Sequence, residues 1–116
     1  MFYTKYSTIA PFDFKGLQIR ELTPEGMAEA SVAEIEVAAG VSHPKARSSK
    51  CDKLYVCLEG AVSFQVGEEA AALVPRDVLF IPKNTWFSYK NETAETARLL
   101  LVHMSRFEME AEEFRE

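Results

Sequence analysis

An all-β fold, either a sandwich or a closed antiparallel barrel, is what this sequence predicts, and three observations carry the prediction. Apolar and polar residues alternate in short runs, the period of a strand with one buried face. Turn residues break these runs at roughly ten-residue intervals, which gives about seven or more short strands. Only the last stretch, SRFEMEAEEFRE, has helical character, with Phe107, Ala111 and Phe114 at helical spacing, so a short helical tail is expected there.

The elements follow in order. Gly16 to Leu22, GLQIREL, reads as a strand that ends at the turn TPEG, with Pro24 and Gly26. From Glu29 to Val37, Ser31, Ala33, Ile35 and Val37 alternate against Val32, Glu34 and Glu36, which buries one face. SHPKARSSK, from Ser42, reads as a long loop rich in cations. KLYVCL and AVSFQV then flank Glu59 and Gly60 as a hairpin. VGEEAA turns before a short strand at Ala72 to Val74, and DVLFI lies between Pro75 and Pro82, where a residue without an N–H donor belongs. WFSYKN ends in the polar turn NETAET, and ARLLLVHM closes the series.

At 116 residues, 47% hydrophobic and 27% charged, the chain has the composition of one soluble domain spanning 1–116. Its net charge of -5 opposes attraction to phosphate backbones, so no nucleic-acid partner is expected. No apolar run reaches the roughly 18 residues of a membrane span, and MFYTKYSTIAPFDF lacks a signal-peptide core. A cytoplasmic protein without a membrane partner is the expectation. On one strand Cys51 and Cys57 would lie roughly 20 Å apart, beyond the ~7 Å that a disulfide spans, which favours reduced thiols.

Two stretches carry a family resemblance. Gly40 and Gly60 fall into the register G-x5-H-x-H-x4-E-x6-G, and Pro82 and Asn91 into G-x5-P-x-G-x2-H-x3-N, with Asp77 after the first position of the second pattern. In this order the two motifs, at 40–60 and 76–91, resemble those of the cupin family, and the resemblance implies a small antiparallel jelly-roll β-barrel. The ligand positions depart from the pattern. The two histidines are replaced by Ala46 and Ser48, the glutamate by Lys53 and the histidine of the second motif by Phe87, while Arg76 and Asn84 replace glycines. The x3 variant of the first motif puts Arg47 and Ser49 at the histidines instead. A divalent ion needs converging imidazole or carboxylate donors, and an ammonium at a ligand position opposes it by like charge. No metal and no cofactor is assigned; whether His43, Cys51, Asp52 and His103 form a substitute site is left open.

The resemblance places Lys53, Tyr55 and Cys57 on one strand face and Phe87, Tyr89 and Asn91 on another. Arg47, Ser48, Lys53, Tyr55, Phe87, Tyr89 and His103 are the candidate ligand-binding residues. A cation, phenols and an aromatic wall suit a small anionic molecule with an apolar body, bound in the barrel mouth. Three functions remain open: a metal-free small-molecule binder, a metal-independent acid–base enzyme using His103 with Tyr55 or Tyr89, and a structural or regulatory protein with a filled barrel. The plainer expectations are that Lys45, Arg47 and Lys50 solubilise a loop, that Phe64 and Phe80 are core, and that the tail acids Glu108, Glu110, Glu112, Glu113 and Glu116 are solvated. Small cupins commonly pair their sheets, so a homodimer is expected.

Overall fold

The computed structural model describes residues 1, 3–23 and 29–115, in which eleven antiparallel strands form two facing sheets. The first sheet runs in the order β1 (Phe12–Phe14), β2 (Leu17–Glu21), β3 (Ala30–Val37), β10 (Ala97–Met104), β5 (Asp52–Glu59) and β8 (Val78–Ile81). The second runs β11 (Glu112–Arg115), β4 (Ser42–Ser48), β9 (Phe87–Lys90), β6 (Val62–Val66) and β7 (Glu69–Leu73). This is the jelly-roll arrangement that the alternating pattern and the two motifs call for. The turn at Pro24 and Gly26, and Glu116, lie outside the described residues.

Alternation explains the core. Every second residue of β3 and β10, and of β5 as far as Cys57, is buried, including Ile35, Tyr55, Leu99 and Leu101. These inner faces meet Val62, Phe64, Phe87 and Tyr89 of the other sheet. Phe64 is core as expected, but Phe80 is not. It lies on the outward face of the edge strand β8 and is 49% exposed.

Backbone angles support the motif register. Gly40 and Gly60 have φ of +79° and +74°, and Arg76 and Asn84, which stand in for motif glycines, take the same left-handed region at +80° and +65°. At Gly60 a Cβ would also sit 2.9 Å from the Ala97 Cα, so a side chain there meets strain and a clash together.

Two segments depart from the sequence reading. Ser42 to Ser48 is strand rather than loop, and its pairing with β9 slips between His43 and Ala46. Pro44, which has no N–H to give the ladder, lies within that bulge. The tail is not an α-helix. Met109–Ala111 makes a single 3-10 turn, and Glu112–Arg115 then pairs with β4, Glu112 opposite Ser48 and Phe114 opposite Ala46. The partner edge of β4 overrides a helical spacing carried by only three residues.

Candidate functional site

A cavity of about 320 Å³ opens between the sheets at the end where β1 and β11 lie. Its wall includes Ala33, Ile35, Tyr55 and Leu101, while Phe12, Met109 and Phe114, all partly exposed, belong to its rim. The Phe14 and Phe114 rings meet at 5.6 Å, so strands from both sheets close over it. The polar wall groups are Glu21, His43, Lys53, Tyr55, His103 and Glu112.

Strand register assembles the polar cluster. Lys53, His103 and Ser31 sit directly opposite one another across β5, β10 and β3, and all three are buried. The Lys53 Nζ donates to Glu112 Oε1 at 2.7 Å and to His103 Nε2 at 3.2 Å. Because an ammonium only donates, His103 Nε2 must carry the lone pair, and its Nδ1–H faces Ser31 Oγ at 3.4 Å. The Ser31 hydroxyl also accepts the Phe107 N–H at 3.1 Å. The Lys53 and Glu112 side chains are 5% and 4% exposed, so the ion pair bridges the two sheets almost out of water. Glu112 Oε2 is buried and has no hydrogen-bond partner among the described residues. The carboxylate that the tail was expected to hold in solvent thus completes the interior site.

Both histidines face this cavity. By alternation along β4, His43 shares the outward parity of Lys45 and Arg47; the bulge at Pro44 turns it inward, against Phe87 at 5.2 Å and Tyr89 at 5.0 Å between ring centroids. Its Nδ1–H donates to the Pro44 carbonyl at 2.6 Å, which leaves Nε2 as the lone-pair nitrogen. Burial lowers the His43 pKa to about 4, opposed by the hydrogen bond to the Pro44 carbonyl and assisted by Lys53. Burial and then Lys53 lower His103 to about 3. Burial also pushes the Tyr55 and Tyr89 phenols upward. The neighbouring Tyr55 phenol lowers Tyr89 against this larger effect of burial, and the Tyr89 hydroxyl has no hydrogen bond of normal geometry among the described residues.

Lys53, Tyr55 and His103 are therefore on the cavity wall, and the other sequence candidates are elsewhere. Arg47 points away from the barrel, paired with Glu113 at 3.1 Å and lying over Trp86 at 4.7 Å. The Ser48 hydroxyl faces the β4–β5 turn, where it accepts the Lys50 and Cys51 N–H groups. Phe87 and Tyr89 are packed behind the wall, with the Lys53 ammonium 5.5 Å from the Phe87 ring centroid. His103 bonds to Lys53 and Ser31 rather than to a tyrosine, which removes the pairing that acid–base chemistry at His103 was expected to use. Sequence reasoning missed Glu112, and it placed His43 in a cation-rich loop.

The ligand positions of the motifs carry other chemistry here. Ala46 and Phe87 supply no donor and Lys53 an ammonium, and among the described residues no three His, Cys, Asp or Glu side chains are grouped so as to hold a metal ion. Cys51 Sγ lies on the Ser105 and Arg106 carbonyls, and Asp52 Oδ1 accepts the Lys83 N–H, so the substitute set with His43 and His103 does not assemble. Both cysteines are free and buried. No described helix is long and apolar enough to cross a membrane.

Similar folds are known. Pac13 of Streptomyces, a nucleoside dehydratase, superimposes with a TM-score of 0.86 at 16% identity, covering 100% of this chain and 92% of its own; variants with a histidine or one of two tyrosines replaced are solved with uridine. TT1209 from Thermus thermophilus gives a TM-score of 0.78 at 25% identity, over 92% of this chain and 100% of its own. KdgF from Halomonas sp. gives 0.79 at 14% identity, over 91% and 96%. No curated protein matches the sequence. The family model for the cupin domain matches residues 33–103, more than half of the chain, and with both motif registers and the jelly roll in place the chain belongs to the cupin family.

Proposed function

We propose that this cupin binds a small uncharged molecule, with a ring and hydroxyl groups, in the cavity between its sheets and without a metal ion. One observation carries the reading: the position of the motif glutamate holds a buried ammonium, Lys53, already neutralised by Glu112 at the wall of an aromatic cavity. An anion is no longer favoured. It was expected on the strength of Lys53 and Arg47 together, but Arg47 is outside and the charged wall residues are Lys53, Glu112 and Glu21. At about 320 Å³ the space lies near the lower end of ligand pockets, ~300–1,000 Å³. A nucleoside is the compound class that the Pac13 likeness adds, since that protein is solved with uridine. Thermal-shift titration with uridine, alongside elemental analysis of the purified protein, tests the reading. A saturable rise in Tm by metal-free protein supports it; stoichiometric bound metal, or no shift by any nucleoside, rejects it.

A second reading, metal-independent acid–base catalysis, is favoured by His43 rather than His103. Its proton is fixed on Nδ1 by Pro44, its Nε2 lone pair is unshared, and it lies beside Tyr89. Loss of one water from a nucleoside, followed by mass spectrometry and abolished in His43→Asn, would support it; a nucleoside that binds and remains unchanged would leave binding as the function.

A homodimer is proposed on the outer face of the first sheet. Leu58, Val78 and Phe80 are exposed there beside the partly buried Leu54, Val56 and Leu100, and the patch reaches the open edge of β8, so the same face of a second copy can cover it. Light scattering at twice 13.1 kDa, lost in Phe80→Asp, supports this; a concentration-independent monomer rejects it.

A further inference from the structure

We propose that Glu112 sets the charge class the cavity accepts: together with Lys53 it forms a receptor for a ligand hydroxyl and turns anions away. The inference rests on the reading that this cavity is the binding site, and it assigns the selecting role to a residue outside the family-matched span of 33–103.

The capacities of the two groups make the case. An ammonium has three N–H donors, and Lys53 uses two, on Glu112 Oε1 and His103 Nε2. One donor is left. A carboxylate has two acceptor oxygens, and Oε2 of Glu112, on a side chain 4% exposed and forming part of the cavity wall, has no partner among the described residues. An unused donor and an unused acceptor on adjoining groups match an alcohol, which can donate to Oε2 and accept from Nζ at once. A charge-assisted O–H···O⁻ bond of this kind is short and strong.

The same geometry disfavours an anion. A phosphate or carboxylate drawn to Lys53 would approach Oε2, whose negative charge is not screened by water at this depth. Glu21 adds a second negative group to the wall, its Oε1 accepting from the Thr23 hydroxyl at 2.7 Å. His43 and His103, neutral well below pH 7, add no compensating positive charge.

Strand pairing aims the carboxylate. Glu112 stands opposite the buried Ser48 on β4, and Glu113, next along β11, points outward to Arg47. Of the two neighbouring acids, alternation selects the one that enters the barrel.

The test uses the full chain, uridine and inorganic phosphate, with Tm and calorimetric affinity as readouts. Uridine should stabilise the wild type and phosphate should not. Glu112→Gln keeps an oxygen for Lys53 but loses the charge; it should bind uridine at least tenfold more weakly and gain a saturable Tm rise with phosphate. Should that variant fail to fold, Glu112→Asp, which keeps the charge on a shorter stem, should still reject phosphate while losing uridine affinity. Phosphate stabilising the wild type as strongly as Glu112→Gln, or Glu112→Asp gaining phosphate, overturns the proposal. If uridine shifts no form of the protein, the nucleoside reading falls, and the phosphate arm still decides whether Glu112 excludes anions.

Discussion

Lys53 and Glu112 show how far a single buried pair reaches. Taking both charges out of water is costly, and removing one partner strands the other, which typically costs about 3–5 kcal/mol. Lys53→Met should therefore destabilise the fold by about that amount in urea unfolding, and the Lys53→Met/Glu112→Leu double variant by much less. Equal, additive losses would show that the pair is not coupled. The histidines give a pH signature. Both fold with pKa values below the ordinary 6.5, at about 4 and about 3, so the unfolded chain binds more protons across that interval. Their contribution to stability is full above about pH 6.5 and is lost as the pH falls toward 4 and 3. The unfolding free energy from urea titrations should drop between pH 7 and pH 5, by on the order of 2 kcal/mol per histidine. A flat profile would mean that the histidines are not held neutral. Lys53 was legible in the sequence because the motif glycines fix its register. Glu112 was not: within EMEAEEFRE nothing separates it from its solvated neighbours, and its partner is a residue far away in sequence.

Among the elements, the motif turns and β11 contrast in what the sequence reveals. Turn chemistry is local, so Gly40, Gly60, Pro82 and Asn91 announce the hairpins, and even the substituted Arg76 and Asn84 keep the left-handed backbone. Gly60→Ala should cost about 1–3 kcal/mol, through positive φ and the close approach of Ala97. Arg76→Gly should stabilise by roughly 1 kcal/mol, since the native φ is strained for a side chain. Chemical denaturation measures both, and opposite signs would contradict the register. The path of β11 depends instead on tertiary partners: Arg115 stacks on Trp86 at 4.1 Å and Glu113 pairs with Arg47. Spacing alone cannot disclose such partners, which is why three residues at helical intervals misled. The inward turn of His43 was hidden likewise, because a bulge reverses parity and no alternation pattern records it.

For the whole molecule, one barrel appears in which the usual ligand positions have become lining, packing and a neutralised ammonium, while β1 and β11 close the cavity end. The fold was readable because alternation and turns repeat along the entire chain. The site was readable only where a motif position is on the wall, at Lys53, at Tyr55 two residues on along the same strand face, and where His103 falls beside Lys53 through strand register. The chain has just two histidines and both are on the cavity wall, so they report on it without interference. The most direct measurement is a titration of uridine into histidine-labelled protein in the presence of a chelator, followed by the imidazole NMR signals. The His43 and His103 signals should shift together and saturate. Imidazole signals that stay still, or that move only when a divalent metal is supplied, would contradict metal-free binding in this cavity.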